Sequence, residues 1–368
     1  MRNKRREDVA SSITEDLHME ILVRLPVKSL IRFQCVCKRW RGLIRSSSFV
    51  TAHIRQHSHT HLITDDRSCF DQVELCYSLF RCERFEQSLE LKPPFHPQLD
   101  YNSRLDYFKI YGSKNGLVCL AGNVMDSSSP IYIWNPSVRK FRILPQPRFD
   151  HYCVDCFPKH VDIPLLFGFH PELNDYKVIR MMLPGSIKME VYTLSTNSWK
   201  IIQVIPPWLN TMKFSTRSEF WNGMAYWLAT KDSMVRVVSF DTNNEEFEEL
   251  AVPITILSDD WDAYIEVYKE SICLLHVKVE LDNDVGCDCI DFWVLQERCF
   301  KKLHTVYFPQ VYHVIWGFSV DNELLLEDYS SDGELAFYNL ESKQVQKIRI
   351  SSYLSVHTYI ESLVLFDM

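Results

Sequence analysis

The sequence predicts a mainly β protein, a short helical head followed by a propeller of about six blades, and three observations carry that expectation. Helical periodicity is confined to a stretch near the N-terminus. A hairpin with two large residues seven positions apart recurs through the remainder at roughly fifty-residue spacing. The 368 residues are 46% hydrophobic and 13% aromatic, ample for a large β core once the head is set aside.

The head comes first. Residues 1–12 read as a basic flexible tail, 13–52 as the helical unit and 53–58 as a linker. Leu17, Ile21, Leu22 and Leu25 recur at three- and four-residue intervals and form one stripe of a helix. Thr14 is placed as its N-cap, with Glu15 and Asp16 in the first turn, where the helix dipole favours anions. Pro26 ends that helix and opens the next, in which Val27, Leu30, Ile31 and Phe33 repeat the pattern. Val36, Trp40 and Leu43 mark a third helix, and Ser48 before Phe49 reads as the cap of a fourth. A unit this small cannot bury so many large apolar side chains by itself, so a partner surface is expected.

From residue 59 to 368 the period switches to strands. The pairs Trp134/Phe141, Tyr192/Trp199, Phe240/Phe247, Trp293/Phe300 and Tyr338/Val345 each bracket a mostly polar stretch, and their starts lie 58, 48, 53 and 45 residues apart. A four-residue loop flanked by one paired residue on each side sets such residues directly opposite in an antiparallel hairpin. Tyr77 to Phe85 is a looser copy. Six copies at this spacing suggest propeller blades. Runs at 116–120, 224–228, 272–275 and 324–326 supply further strands, and the last apolar run, Tyr359 to Leu365, is expected to join the first blade and close the ring. A large β-sandwich is the alternative, favoured by the uneven spacing.

Composition excludes several classes. No run approaches the ~20 apolar residues of a membrane-spanning helix. The charged start, MRNKRRED, gives no secretory address, and scattered cysteines without an Asn-x-Ser/Thr acceptor point to a reducing cytosol or nucleus. Residues 1–50 carry 11 Lys and Arg against 5 Asp and Glu, a net of +6; against −8 for the whole chain this leaves −14 on the remainder. An acidic domain of that size disfavours nucleic acid and steers basic protein partners.

The run Glu20-Ile21-Leu22-x-Arg24-Leu25-Pro26-x-Lys28-Ser29-Leu30-x-Arg32-Phe33-x-x-Val36-Cys37-Lys38-x-Trp40 resembles the plant form of the F-box. The family begins with Leu-Pro before the acidic pair, where this chain has Ile13-Thr14. The segments IWNPSVRKFR (133–142), FGFHPELNDYKVIRM (167–181), EVYTLSTNSWKI (190–201) and SFDTNNEEFEELA (239–251) resemble the F-box-associated, kelch-like domain of the same plant proteins. True kelch repeats carry paired glycines; the ten glycines here include no adjacent pair. Within the family, Ile205-Pro206-Pro207-Trp208 and the run from Tyr359 to Phe366 look most like the S-locus F-box group of the rose family.

The resemblance implies a substrate receptor of an SCF-type ubiquitin ligase, with a Skp-type adaptor and a cullin scaffold as partners. Leu17, Ile21, Leu25, Pro26 and Leu30 would dock on the adaptor, while Phe33, Val36, Trp40 and Leu43 hold the head together. Loops on one rim of the ring would grip a target, with basic secreted-type ribonucleases as one class. Trp208, Trp261, Asp259, Asp260 and Asp262 are the candidate target contacts, alongside Phe149, Tyr152 and the acidic positions Asp282, Asp284 and Asp288. A plug over the core edge, or plain solvated surface, is the alternative reading of these loops.

No nucleophile elbow, phosphate loop, zinc-protease helix or dinucleotide fingerprint occurs, so no catalytic residue and no cofactor is expected. His53, His57, His59 and His61 read as linker. His151, Cys153, Cys156 and His160 lack the distant second ligand pair usual in zinc sites, and Cys287 and Cys289 are too close together. Two readings stay open beside the ligase receptor. One is an F-box scaffold that does not turn over its partner. The other is a propeller hydrolase, which needs convergent carboxylates or a metal at the axis.

Overall fold

A computed structural model describes residues 15–57, 61–66, 77–81, 87–94, 108–122, 129–148, 165–182, 187–252, 263–282, 285–308, 312–319, 321–328, 334–348, 350 and 353–366. Among these, 24 strands form six four-stranded antiparallel sheets. Blade 1 joins the last strand, β24 (Tyr353–Tyr359), to β1 (His61–Asp66), β2 (Tyr77–Arg81) and β3 (Gln87–Leu91). Blade 2 holds β4 (Lys109–Lys114), β5 (Leu117–Ala121), β6 (Ile131–Asn135) and β7 (Lys140–Ile143). Blade 3 holds β8 (Leu165–His170), β9 (Asp175–Met182), β10 (Lys188–Thr193) and β11 (Ser198–Ile201). Blade 4 holds β12 (Lys213–Trp221), β13 (Met224–Lys231), β14 (Met234–Asp241) and β15 (Glu246–Leu250). Blade 5 holds β16 (Ala263–Tyr268), β17 (Ser271–Asp282), β18 (Val285–Gln296) and β19 (Cys299–Tyr307). Blade 6 holds β20 (Tyr312–Phe318), β21 (Leu324–Asp328), β22 (Glu334–Tyr338) and β23 (Val345–Ile348). The innermost strands β24, β4, β8, β12, β16 and β20 each touch the next, and β20 returns to β24. The six-bladed propeller is therefore closed, and the sandwich alternative is excluded.

Each blade is covered on both faces by its neighbours. That explains why second strands such as Leu117–Ala121 are apolar without alternation and buried throughout. Four of the five expected hairpin pairs sit directly opposite: Trp134 with Phe141, Tyr192 with Trp199, Phe240 with Phe247, and Tyr338 with Val345. Three of the four loops share a mechanism. Asn135, Asp241 and Asn339 each accept one or two backbone N–H groups from the loop, a local turn that only a short polar side chain can make. The fourth loop residue, Arg139, Asn197, Glu245 or Lys343, then turns left-handed at φ 48–59°.

Two expectations change in register. Trp293 faces Lys302, because Glu297 and Arg298 form a two-residue turn that pairs Leu295 with Phe300. Closure of the ring is made by Tyr353–Tyr359 against β1, not by the apolar run that follows. That run leaves the sheet and lies along blade 2 instead. The Asn135 amide donates to the Ser362 and Val364 carbonyls, and Ser137 Oγ lies 2.6 Å from the Tyr359 hydroxyl. Gly116, at φ +80°, accepts this packing: a Cβ there would stand 2.7 Å from the Ile360 carbonyl oxygen. Phe85, the second residue of the looser copy, lies outside the described residues.

Candidate functional site

The head consists of α1 (Glu15–Leu22), α2 (Val27–Phe33), α3 (Lys38–Arg45) and α4 (Ser47–Gln56). Pro26 stands at the N-cap of α2, and its carbonyl accepts from Ser29 and Leu30. Cys37 caps α3 through its sulfur, which accepts from Trp40 N. The cap of α4 is Ser46, not Ser48: its hydroxyl accepts from Phe49 N at 3.3 Å. Helix α4 runs on to Gln56, through most of the stretch expected as a linker. Thr14 and the Ile13-Thr14 departure lie outside the described residues.

Leu22, Val27, Leu30, Ile44, Phe49 and Val50 are buried, and they belong to one apolar cluster with Leu117, Leu363 and Val364 of the ring. The head therefore does not hang free: α4 and the C-terminal run join it to blades 2 and 3. His53 fixes the corner between α4 and the α1–α2 turn. Its Nε2 lies 2.9 Å from the Leu25 carbonyl, which can only accept, so Nε2 carries the proton. Burial holds this histidine neutral, with its pKa lowered to about 4.

The expected adaptor contacts separate into two groups. Leu17 and Ile21, 46% and 57% exposed, stand one turn apart on α1. Pro26 is exposed and Leu25 half-buried. Leu30 is 0% exposed and belongs to the core of the head, where an adaptor cannot touch it. Val36, expected to hold the head together, is instead 61% exposed. Phe33, Trp40 and Leu43 do pack inward; the Phe33 and Trp40 rings lie 5.5 Å apart. Periodicity places a residue on a stripe but does not say which stripe faces the rest of the chain, and this is why Leu30 is buried against the expectation of exposure and Val36 exposed against the expectation of burial. Leaving Leu17 and Ile21 half in water forgoes about 1 kcal/mol each, a cost that only a partner removes.

Strand direction separates the two rims of the ring. The head and C-terminal run cover the rim carrying the first turn of blades 2, 3 and 4, at Asn115, Asn174 and Asn222. Connections from the outer strand of one blade to the inner strand of the next emerge on the opposite rim. Trp208 sits there, on a 3-10 turn, Pro207–Thr211, half-buried against the core between blades 3 and 4. It packs in part against that core and keeps part of its ring in solvent, while Val204 in the same connection is exposed. Trp261, Asp259, Asp260 and Asp262 lie outside the described residues, as do Phe149, Tyr152, Asp284, His59, His151, Cys153, Cys156 and His160. The acidic positions Asp282 and Asp288 and the thiol position Cys287 lie on the β17–β18 hairpin, and their side chains are not described; Cys289 is a buried thiol.

The axis is charged. Lys114 of blade 2 reaches the Trp221 ring of blade 4 at 4.9 Å, a contact between blades that are not neighbours. Arg217 stacks on Tyr264 at 3.5 Å, and two inner-strand carboxyls, Glu219 and Glu266, lie beside these cations. Burial raises the pKa of both carboxyls; the charge of Glu219 pushes Glu266 further, and Arg217 opposes it. The two carboxyls therefore feel each other across neighbouring inner strands, while among the described residues no group of three potential ligands could hold a metal. The charges of Lys114 and Arg217 partly offset the burial of these carboxyls, which gives the cluster a structural reason. A carboxyl whose folded pKa is raised stabilises the fold below its ordinary value of 4.5, and that contribution is lost as pH rises through the folded pKa. Glu266→Gln is accordingly expected to melt higher than the wild type at pH 8 and by a smaller margin at pH 5. A margin that ignores pH in thermal denaturation would contradict this.

With this geometry in place, comparison with known proteins is decisive at the level of family. The F-box domain model matches residues 11–51 and the F-box associated beta propeller domain model matches residues 68–362. The putative F-box protein At5g52610 of Arabidopsis thaliana is 26% identical, over 96% of this chain and 99% of its own length. The putative F-box protein At3g10240 of the same plant is 25% identical, over 91% of this chain and 81% of its own length. The F-box/kelch-repeat protein At3g23880 is 27% identical, with 64% of each chain covered, just under two thirds of that relative. Helical head, closed propeller and both family matches agree: the chain belongs to the plant F-box proteins that carry an F-box associated β-propeller domain.

Proposed function

We propose that the chain is the target-recognition subunit of an SCF-type ubiquitin ligase. The observation that carries this is the pair Leu17 and Ile21, left exposed one turn apart on α1 while Leu22, Val27, Leu30, Ile44, Phe49 and Val50 of the head are buried in the cluster shared with the ring. A Skp-type adaptor covers that pair and connects the chain to a cullin. The ring, fastened to the head through the shared apolar cluster, holds a target at a set distance from the ubiquitin-charged enzyme. Its contribution is effective concentration rather than bond chemistry.

The free rim, opposite the head, is where the target binds. The net charge of −14 beyond residue 50 supports a basic target, a secreted-type ribonuclease being the class suggested by the S-locus resemblance. Such a complex works in the cytosol or nucleus. In the alternative reading, the chain is a scaffold that holds its partner without turnover. Proximity labelling from the ring with the proteasome blocked identifies the target, and its half-life separates the readings. A half-life lengthened by Leu17→Asp with Ile21→Asp supports a degradative receptor; one unaffected by that pair points to the scaffold.

A further inference from the structure

Where α4 lies over the ring it leaves a cleft of about 340 Å³, within the size range of small-molecule sites. Its floor is the first turn of three successive blades, and its roof is Val50, Thr51, Ile54 and Arg55 of α4. Neither the F-box role nor target binding on the far rim uses it. The walls are aromatic: Phe169 and Tyr176 have rings 4.9 Å apart, and Trp221 closes the far side. The polar groups are cationic or neutral. Lys114 and Arg55 border the cleft, and no aspartate or glutamate does so among the described residues.

We propose that this cleft binds a small aromatic carboxylate, its ring between the Tyr176 and Trp221 sides and its anion on Lys114. Lys114 already lies over the Trp221 ring, so the cation is held beside the aromatic wall before any ligand arrives. The carboxyl whose charge interacts with Lys114 is Glu219, on the inner strand of blade 4. Asn115, Asn174 and Asn222, at φ 50°, 48° and 50°, line the cleft at the turn tips. A molecule in this position bridges head and ring.

Titration of the full-length chain with 2-naphthoate, followed by calorimetry and ligand-observed NMR, tests the assignment. A bicyclic anion of this size is expected to bind with a dissociation constant of about 1 mM or tighter. Lys114→Met should weaken it about tenfold, since the charge goes while the aliphatic stem remains. Thr51→Trp, which fills the mouth from an exposed position and leaves the core alone, should abolish binding. The cation 2-naphthylmethylammonium should not bind. No binding to the wild type, equal binding to either variant of unchanged melting temperature, or equal binding of the cation would each overturn the proposal.

Discussion

Replacing Leu17 and Ile21 together by aspartate is expected to abolish capture of a Skp-type adaptor while leaving the fold intact. Both side chains are about half exposed, so the folded chain loses little; surface changes of this kind usually fall within about 0.5 kcal/mol. The interface loses two apolar anchors and must desolvate two carboxylates, on the order of 3 kcal/mol or more, so affinity should fall at least about a hundredfold. Leu30→Asp is the wrong probe for the same question. Its side chain is fully buried, and a charge there unfolds the head whether or not an adaptor exists. Calorimetry with purified adaptor, together with thermal melts of each variant, distinguishes these cases. Undiminished binding by the surface double variant would contradict the assignment of α1.

Arg180→Ala should produce the largest loss of stability in the ring. Arg180 and Glu190 are cross-strand partners in blade 3, joined at 3.1 Å with side chains 2% and 0% exposed. The other Glu190 oxygen accepts from Arg148 N at 2.9 Å, which ties the connection leaving blade 2 to the same carboxylate. Removing the guanidinium strands a buried charge and costs about 3–5 kcal/mol. Replacing both residues, by Met and Leu, removes the charge as well as its partner, and much of the loss should return. Denaturant melts of the two single variants and the double variant measure this coupling; a double variant as unstable as Arg180→Ala would contradict it.

Asp291 shows the opposite solution, a buried carboxyl met by two half-exposed lysines. Burial alone would raise its pKa, but hydrogen bonds from Lys278, Lys302 and Thr305 outweigh it and hold the carboxyl at about 2. Its stabilising contribution is full above the ordinary value of 3.8 and is lost as pH falls from there through about 2.

The hairpins were legible because spacing is a backbone property. Seven residues with a four-residue loop give one register, and four blades adopt it. Blade 5 departs where Glu297 and Arg298 both accept positive φ, a turn that neither residue announces. The apolar run from Tyr359 to Leu365 predicts a closing strand there, six residues beyond the start of the strand that does pair with β1. Tyr353–Tyr359 pairs despite its three polar residues, whereas the run after it is held by the Asn135 amide and fits against the glycine at 116, partners more than 200 residues away in sequence. Tertiary contacts of that kind also hid the attachment of α4 to the ring, the exposure of Val36 and the mutual influence of Glu219 and Glu266 across neighbouring inner strands. Each depends on how separate elements meet, and no local pattern records it.

Amide hydrogen exchange of the full-length chain, with and without purified Skp-type adaptor, addresses the uncovered face of the head most directly. Added protection is predicted in α1 and the turns around Pro26 and Val36, with α4 and the blades unchanged because they are already packed together. Protection that appears only in the ring, or nowhere at all, would show that the exposed leucine and isoleucine of α1 are not an adaptor surface.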